Sequence, residues 1–308
     1  MKNYKDGLLG LSVGEAFGVQ YDGEDFNYNI NDLTLIGYNA YDVDKGNYSD
    51  DTCMCLAVMA SFIEKREFDY NNIADKFCDW INNNEYASSD SLFDISKTVR
   101  FALMDYWEHK DYTVSGKLEE SKMDASCFSR VLPVAEYALT KGISEKELYL
   151  IVKNIVSITH NNEIAFLGAF ILTKYLIYVL DGNDSKKALA SLKRYKYDKF
   201  FSEETIDKYN RILKNNIKDL KLKDINNNSN VVSVLESVLW IITNTDSYKD
   251  AVVSASVIGN ANGVRSSITG LIAGILYGKK NIPKTWLDEL KRKDYLEKIQ
   301  RKYNTVLK

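Results

Sequence analysis

Gly46-Asn47-Tyr48-Ser49-Asp50-Asp51-Thr52 runs directly into Cys53-Met54-Cys55-Leu56-Ala57-Val58-Met59-Ala60-Ser61-Phe62-Ile63, so two carboxylates and two hydroxyls stand immediately before a strongly apolar run. The apolar run has no polar face, which predicts a helix buried on most sides with Ser49 and Asp50 near its N-cap. Its entrance is then interior. Two adjacent anions there gain from the helix dipole and the free N–H groups, but their mutual repulsion asks for a cation. Hard oxygen ligands suit magnesium or calcium better than zinc. Taken alone, the same four residues also make a good capping cluster, and plain capping accounts for them without any metal.

The rest of the composition narrows the class. With 308 residues, 45% hydrophobic content and only 16 glycines and 2 prolines, the chain can bury a large core unaided. A formal charge of −3 with lysines scattered among acids gives no basic stripe for a phosphate backbone, so nucleic acid is not expected as a partner. Cys53, Cys55, Cys78 and Cys127 form no CxxC pair and suggest neither zinc nor disulfides, which fits a reducing cytoplasm. Met1 to Asp6 lacks the apolar core of a signal peptide. Ile164 to Leu180 is apolar but short for a membrane span and carries Lys174, so a central core helix is expected and no membrane.

Glycines at 10, 14 and 18 make a smooth strip on an opening helix, where a second backbone has to approach closely to offset their cost. The acid-rich loop Val19 to Asp25 follows, and the run to Asp44 reads as irregular with at most one short strand. Helical periodicity then recurs in the helix ending near Lys65, in Tyr70–Asn84, in Leu92–Trp107 and after Pro133. It recurs again in Ser144–Val156, Val231–Ile242, Tyr248–Ile258, Ser266–Tyr277 and a closing helix after Pro283. Lys186 to Lys223 reads as a charged surface segment. No sustained alternation proposes a sheet and no linker stands out, so the expectation is an all-α fold in a single domain, residues 1–308.

Several separated pieces, taken in order, resemble the ADP-ribosylglycohydrolase family over nearly the whole length. Gly14-Glu15-Ala16-Phe17-Gly18 is similar to the family's Gly-Asp-Ala-Leu-Gly, and Tyr48-Ser49-Asp50-Asp51-Thr52 to its Trp-Thr-Asp-Asp-Thr metal motif. Phe93-Asp94-Ile95-Ser96-Lys97-Thr98 resembles its substrate loop, Ser129-Arg130-Val131-Leu132-Pro133 its Met-Arg-x-x-Pro start, and Ile158-Thr159-His160 its Leu-Thr-His. Gly270 to Gly278 and Ile282 to Leu287 resemble the terminal signature. The resemblance implies a compact orthogonal helical bundle that hydrolyses ADP-ribosyl bonds with two Mg²⁺. The implied metal ligands are Ser49, Asp50 and Asp51, the implied catalytic residues Asp22 and Asp51, and the implied ligand contacts Ser96, Thr98, Ser126 and His160.

The sequence departs from the family in one region above all. Gly259-Asn260-Ala261-Asn262-Gly263-Val264 stands where the family has Gly-Gly-Asp-x-Asp-Thr, so Ala261, Gly263 and Val264 occupy the three ligand positions without a side-chain oxygen. Asp50 and Asp51 neutralise at most half of the charge of two Mg²⁺, each of which prefers six oxygens at about 2.1 Å. Asp22 stands for a glutamate, Ser96 for a glycine, and Ala125-Ser126 for an Asn/Ser-Gly pair at the diphosphate. Two expectations follow. One is a pseudoenzyme that binds ADP-ribose or a related nucleotide with at most one weak Mg²⁺ site; the other is an active Mg-dependent ADP-ribosyl hydrolase with an incomplete metal site.

Overall fold

The computed structural model describes residues 4–23 and 33–308; Glu24 and Asp25 of the expected acidic loop, and the residues before Tyr4, lie outside them. The first half carries α1 (Tyr4–Gly18), α2 (Asp50–Lys65), α3 (Tyr70–Asn83), α4 (Lys97–His109), the single turn α5 (Tyr112–Ser115), α6 (Leu132–Lys141), α7 (Glu145–Ser157) and α8 (Glu163–Leu180). The second half carries α9 (Ser185–Arg194), α10 (Glu203–Lys208), α11 (Asn210–Leu213), α12 (Val231–Asn244), α13 (Tyr248–Ala255), α14 (Asn262–Tyr277), α15 (Lys284–Glu289) and α16 (Lys293–Leu307). Among the described residues there is no strand, only two isolated bridging contacts, Lys117 with His160 and Asp124 with Asn230. Residues 33–44, where one short strand was allowed, are irregular.

The glycine strip on α1 does what its spacing demands, and its partner is α14. A Cβ on Gly10 would fall 2.2 Å from the Gly270 carbonyl oxygen, and one on Gly14 would fall 2.2 Å from that of Ser266. The contact is reciprocal, since a Cβ on Gly270 would lie 2.3 Å from the Gly10 carbonyl. The Tyr248 hydroxyl donates to that Gly10 carbonyl at 2.7 Å and ties α13 to the pair. Two helices from opposite ends of the sequence are thereby locked backbone to backbone, and α2 packs beside them under α3 and α16.

α8 lies among α6, α7, α9 and α12, with Phe166, Leu167, Phe170, Ile171, Leu172 and Leu176 buried. Its one cation, Lys174, reaches Glu145 at 3.5 Å. The charged segment after it breaks into short helices whose lysines face outward, but its tyrosines turn in: Tyr209 is buried and donates to the Ile164 carbonyl. Several element boundaries differ from the sequence expectation, among them the end of α13, at Ala255 rather than Ile258. α4 starts at Lys97 because Asp94 takes a left-handed backbone, φ +48°, which no helix accepts. α14 starts at Asn262, right after Ala261 at φ +63°. The closing helix is two, divided at Arg292 with φ +52°.

One buried acid in this packing gives a pH prediction. Glu136 on α6 accepts from Gln300 Nε2 at 2.9 Å through one oxygen and has no partner for the other. Burial pushes its carboxyl up to about 8 from an ordinary 4.5. The folded protein therefore holds a proton that the unfolded chain releases. Its stabilising contribution is complete below about pH 4.5 and declines toward pH 8 by up to about 1.4 kcal/mol per pH unit. The urea midpoint is expected to fall from pH 5 to pH 8, and Glu136→Gln to flatten part of that fall; an unchanged slope in the variant would refute the assignment.

Candidate functional site

The first turn of α2 is capped from a distance. Glu15 on α1 accepts the Asp51 N–H and the Thr52 N–H, both at 2.9 Å, and also the Thr52 hydroxyl. Ser49 sits at the N-cap position but makes no side-chain cap; its hydroxyl donates to the Phe93 and Asp94 carbonyls instead and pins the loop before α4. Plain capping by the Ser-Asp-Asp-Thr cluster is thus replaced by capping from Glu15, which leaves Asp50 and Asp51 free of that duty.

Ligand atoms of Glu15, Asp50 and Asp51 lie within 4.8 Å of one another, all three residues buried. Glu15 has both oxygens occupied by α2. Asp51 Oδ2 accepts from Ser267 on α14, while its Oδ1 is buried without a partner. Among the described residues Asp50 receives only a long contact, 3.4 Å, from the Ser96 N–H. A fourth carboxylate, Asp94, accepts from the Tyr41 hydroxyl at 2.8 Å. Burial and mutual repulsion push Glu15 and Asp50 well above the usual carboxylate range. Burial likewise raises Asp51, with Ser267 pulling the other way, and burial with the Asp22 charge raises Asp94. The buried guanidinium nearby, Arg130, spends its hydrogen bonds on Thr159 Oγ1, the Met54 sulfur and the Ser126 carbonyl. Its charge favours ionised Asp51 but forms no ion pair with it among the described residues.

α14 reaches these acids through Ser267, and its start is held by other residues. Asp22 caps this helix: its carboxylate accepts the Asn262 N–H at 2.8 Å; burial raises the Asp22 pKa, while that hydrogen bond and the Arg265 charge pull it back. Asn262 turns its side chain to the Tyr21 carbonyl and the Gly259 N–H, and the Asn260 carbonyl accepts from Arg265. None of the side chains of Ala261, Gly263 and Val264 contains an oxygen. The clustered carboxylates of Glu15, Asp50 and Asp51 are hard oxygen donors of the kind that suits a divalent cation.

The remaining expected contacts converge on a residue that the sequence reading passed over, Asp124. Its Oδ2 accepts from Ser96 Oγ at 2.9 Å, its Oδ1 accepts from the Ser126 N–H and hydroxyl, and His160 Nε2 stands 3.4 Å from Oδ1. Burial disfavours the charge, yet His160 and the hydroxyls hold the carboxyl well below its usual range. Ser96 also caps α4 by accepting the Thr98 and Val99 N–H groups, and the Thr98 hydroxyl donates to the Lys122 carbonyl. A cavity of about 640 Å³ opens beside Asp124, lined also by Met123, Asn228, Asn230, Ser233 and Asn260. Glu15, Asp94, Arg130 and Ser267 were also not singled out as site residues. An acid inside a glycine-lined helix face was the one local sign, at Glu15.

Comparison with known proteins agrees with this architecture. The chain is 27% identical over 300 residues to an ADP-ribosylarginine hydrolase of Serratia proteamaculans, covering 96% of this chain and 77% of that protein. It is 24% identical over 307 residues to the ADP-ribosyl-[dinitrogen reductase] glycohydrolase of Rhodospirillum rubrum, covering 97% and 94%. A solved structure described as an ADP-ribosylglycohydrolase-related protein complex superposes with a TM-score of 0.81 at 19% identity, over 99% of this chain and 98% of that one, which shows the shared fold. Residues 1–307 match the family model described as ADP-ribosylglycohydrolase, and the chain belongs to that family.

Proposed function

We propose that this protein binds ADP-ribose, or an ADP-ribosyl group on a protein, in the cleft between the start of α2, the loop before α4 and the start of α14, with glycosidic hydrolysis weakened. The relatives' activity on ADP-ribosylated proteins supports the choice of ligand. The observation that carries the weakened chemistry is the lack of a side-chain oxygen at Ala261, Gly263 and Val264, at the start of the helix whose Ser267 touches the retained Asp51. A bound Mg²⁺ would supply positive charge to orient ribose hydroxyls and a water; Asp50 and Asp51 are the residues to hold it. The cavity beside Asp124 supplies volume and polar edges for the rest of a nucleotide. The four cysteines are free and buried, in keeping with a reducing cytoplasm as the working location.

Titration calorimetry with ADP-ribose is expected to show binding that changes less than about threefold (below 1 kcal/mol) when EDTA replaces Mg²⁺. Release of ADP-ribose from an ADP-ribosylarginine peptide is expected to fall far below the roughly 10 s⁻¹ typical of enzymes. Rapid, chelator-sensitive multiple turnover would replace this reading by that of a working hydrolase.

A further inference from the structure

Phe101, Met104 and Trp107 on α4 are exposed, at 47%, 61% and 57%. A single apolar side chain on a surface needs no account, but three together do. Phe101 and Trp107 stand three residues from Met104, and Arg100 and Glu108 stand four, so all four surround it on one face of the helix. Val99, Ala102 and Tyr106 occupy the buried side. Arg100 and Glu108 are exposed, and among the described residues neither side chain is bonded or ion-paired. A groove of about 570 Å³ adjoins this face, lined also by Ile81 on α3 and by Leu103. Trp107 is held in place: the Lys110 ammonium lies 4.0 Å from its ring centroid and 3.3 Å from Asp75.

The order of charge along the face argues for its occupant. From the N-terminal end it runs basic at Arg100, apolar through Phe101, Met104 and Trp107, and acidic at Glu108. Read backwards it is acidic, apolar and basic, so the face complements its own antiparallel copy. Residues rise about 1.5 Å each along a helix, which puts Arg100 and Glu108 about 6 Å to either side of Met104. A two-fold axis level with Met104 then brings Arg100 of each copy level with Glu108 of the other, and Phe101 level with Trp107. Such an isologous contact makes each charge pair twice.

We propose that this face mediates self-association: two copies pack α4 against α4, antiparallel about Met104, covering Phe101, Met104 and Trp107 and pairing Arg100 of each copy with Glu108 of the other. Tryptophan, methionine and arginine are the residue types that interface cores favour. One helix face per copy is a small contact, so the dimer is a weak one, with a Kd of about 10–100 µM. The inference is independent of the nucleotide reading.

Sedimentation velocity of the full chain, over a concentration series spanning that range, tests it. The wild type is expected to pass from monomer to dimer. Arg100→Glu alone and Glu108→Arg alone each set like charges opposite one another twice, and each is expected to weaken association by about tenfold or more. Mixing these two single variants is expected to restore it, because each supplies the charge that the other lacks. Met104→Asp is expected to remove the dimer. All three positions are exposed, so each variant is expected to keep the urea midpoint of the wild type. A wild type that stays monomeric throughout would overturn the proposal and leave the face to a different protein. A mixture that associates no better than its components, or a dimer unchanged by Met104→Asp, would overturn it as well.

Discussion

Gly270→Val is expected to abolish the folded protein at ambient temperature, seen as loss of soluble yield and of a cooperative urea transition. A Cβ at 270 would lie 2.3 Å from the Gly10 carbonyl oxygen and 3.0 Å from the Gly14 Cα. Both are backbone atoms of a helix, so no rotamer change relieves the overlap. α1 would have to leave α14, exposing Leu8, Leu11 and Ile272, all fully buried now. The Tyr248 bond to Gly10 would go with it. Ordinary overpacking costs about 1–3 kcal/mol because side chains yield. Here helix separation adds the burial of several large side chains, at about 1.5–3 kcal/mol each, against a total stability of about 5–15 kcal/mol. Gly7→Ala is the control. Its nearest neighbours are the flexible ends of Ile275 and Leu271 at 3.2 Å, and the gain in helix propensity of about 1 kcal/mol offsets their small adjustment. A Gly270→Val protein as stable as Gly7→Ala would disprove the backbone contact.

Arg130→Met is expected to destabilise the protein by about 3–5 kcal/mol in EDTA and to regain much of that loss in millimolar Mg²⁺. Methionine fills a similar volume, and removing the guanidinium also removes the cost of burying it. That gain is outweighed because its partners stay behind. Thr159 Oγ1 and the Ser126 carbonyl lose a donor, the stacking on Phe77 is lost, and the Asp50, Asp51 and Asp124 charges lose a buried positive neighbour. A divalent cation bound at Asp50 and Asp51 restores positive charge to that group, so the stability difference should shrink as Mg²⁺ rises. Urea unfolding of both proteins at several Mg²⁺ concentrations checks it. A deficit independent of Mg²⁺ would mean that Arg130 acts through packing alone.

The helical class and the glycine contact were legible because both are periodic: the strip at 10, 14 and 18 calls for a backbone partner whatever its identity. The carboxylate pair was legible because Asp50 and Asp51 adjoin an apolar run. What the sequence hid was non-local. Capping of α2 belongs to Glu15, on another helix, so local pattern credited it to Ser49. Ser96, Ser126 and His160 come from three segments, and only folding reveals that they share Asp124. The late start of α4 depends on Asp94 being forced into a left-handed backbone, and nothing in Leu92–Trp107 announces that. The contact of Asp22 with the Asn262 N–H at the start of α14 joins residues 240 positions apart and was equally beyond local pattern.

The glycine-lined seam between α1 and α14 also governs when the cleft can exist during synthesis. Gly10 has to wait on the ribosome for Gly270, and Asp51 for Ser267, so a nascent chain holds the acids of α2 without their enclosure until α14 has emerged. Whatever depends on the enclosure of these acids therefore has to await the synthesis of α14.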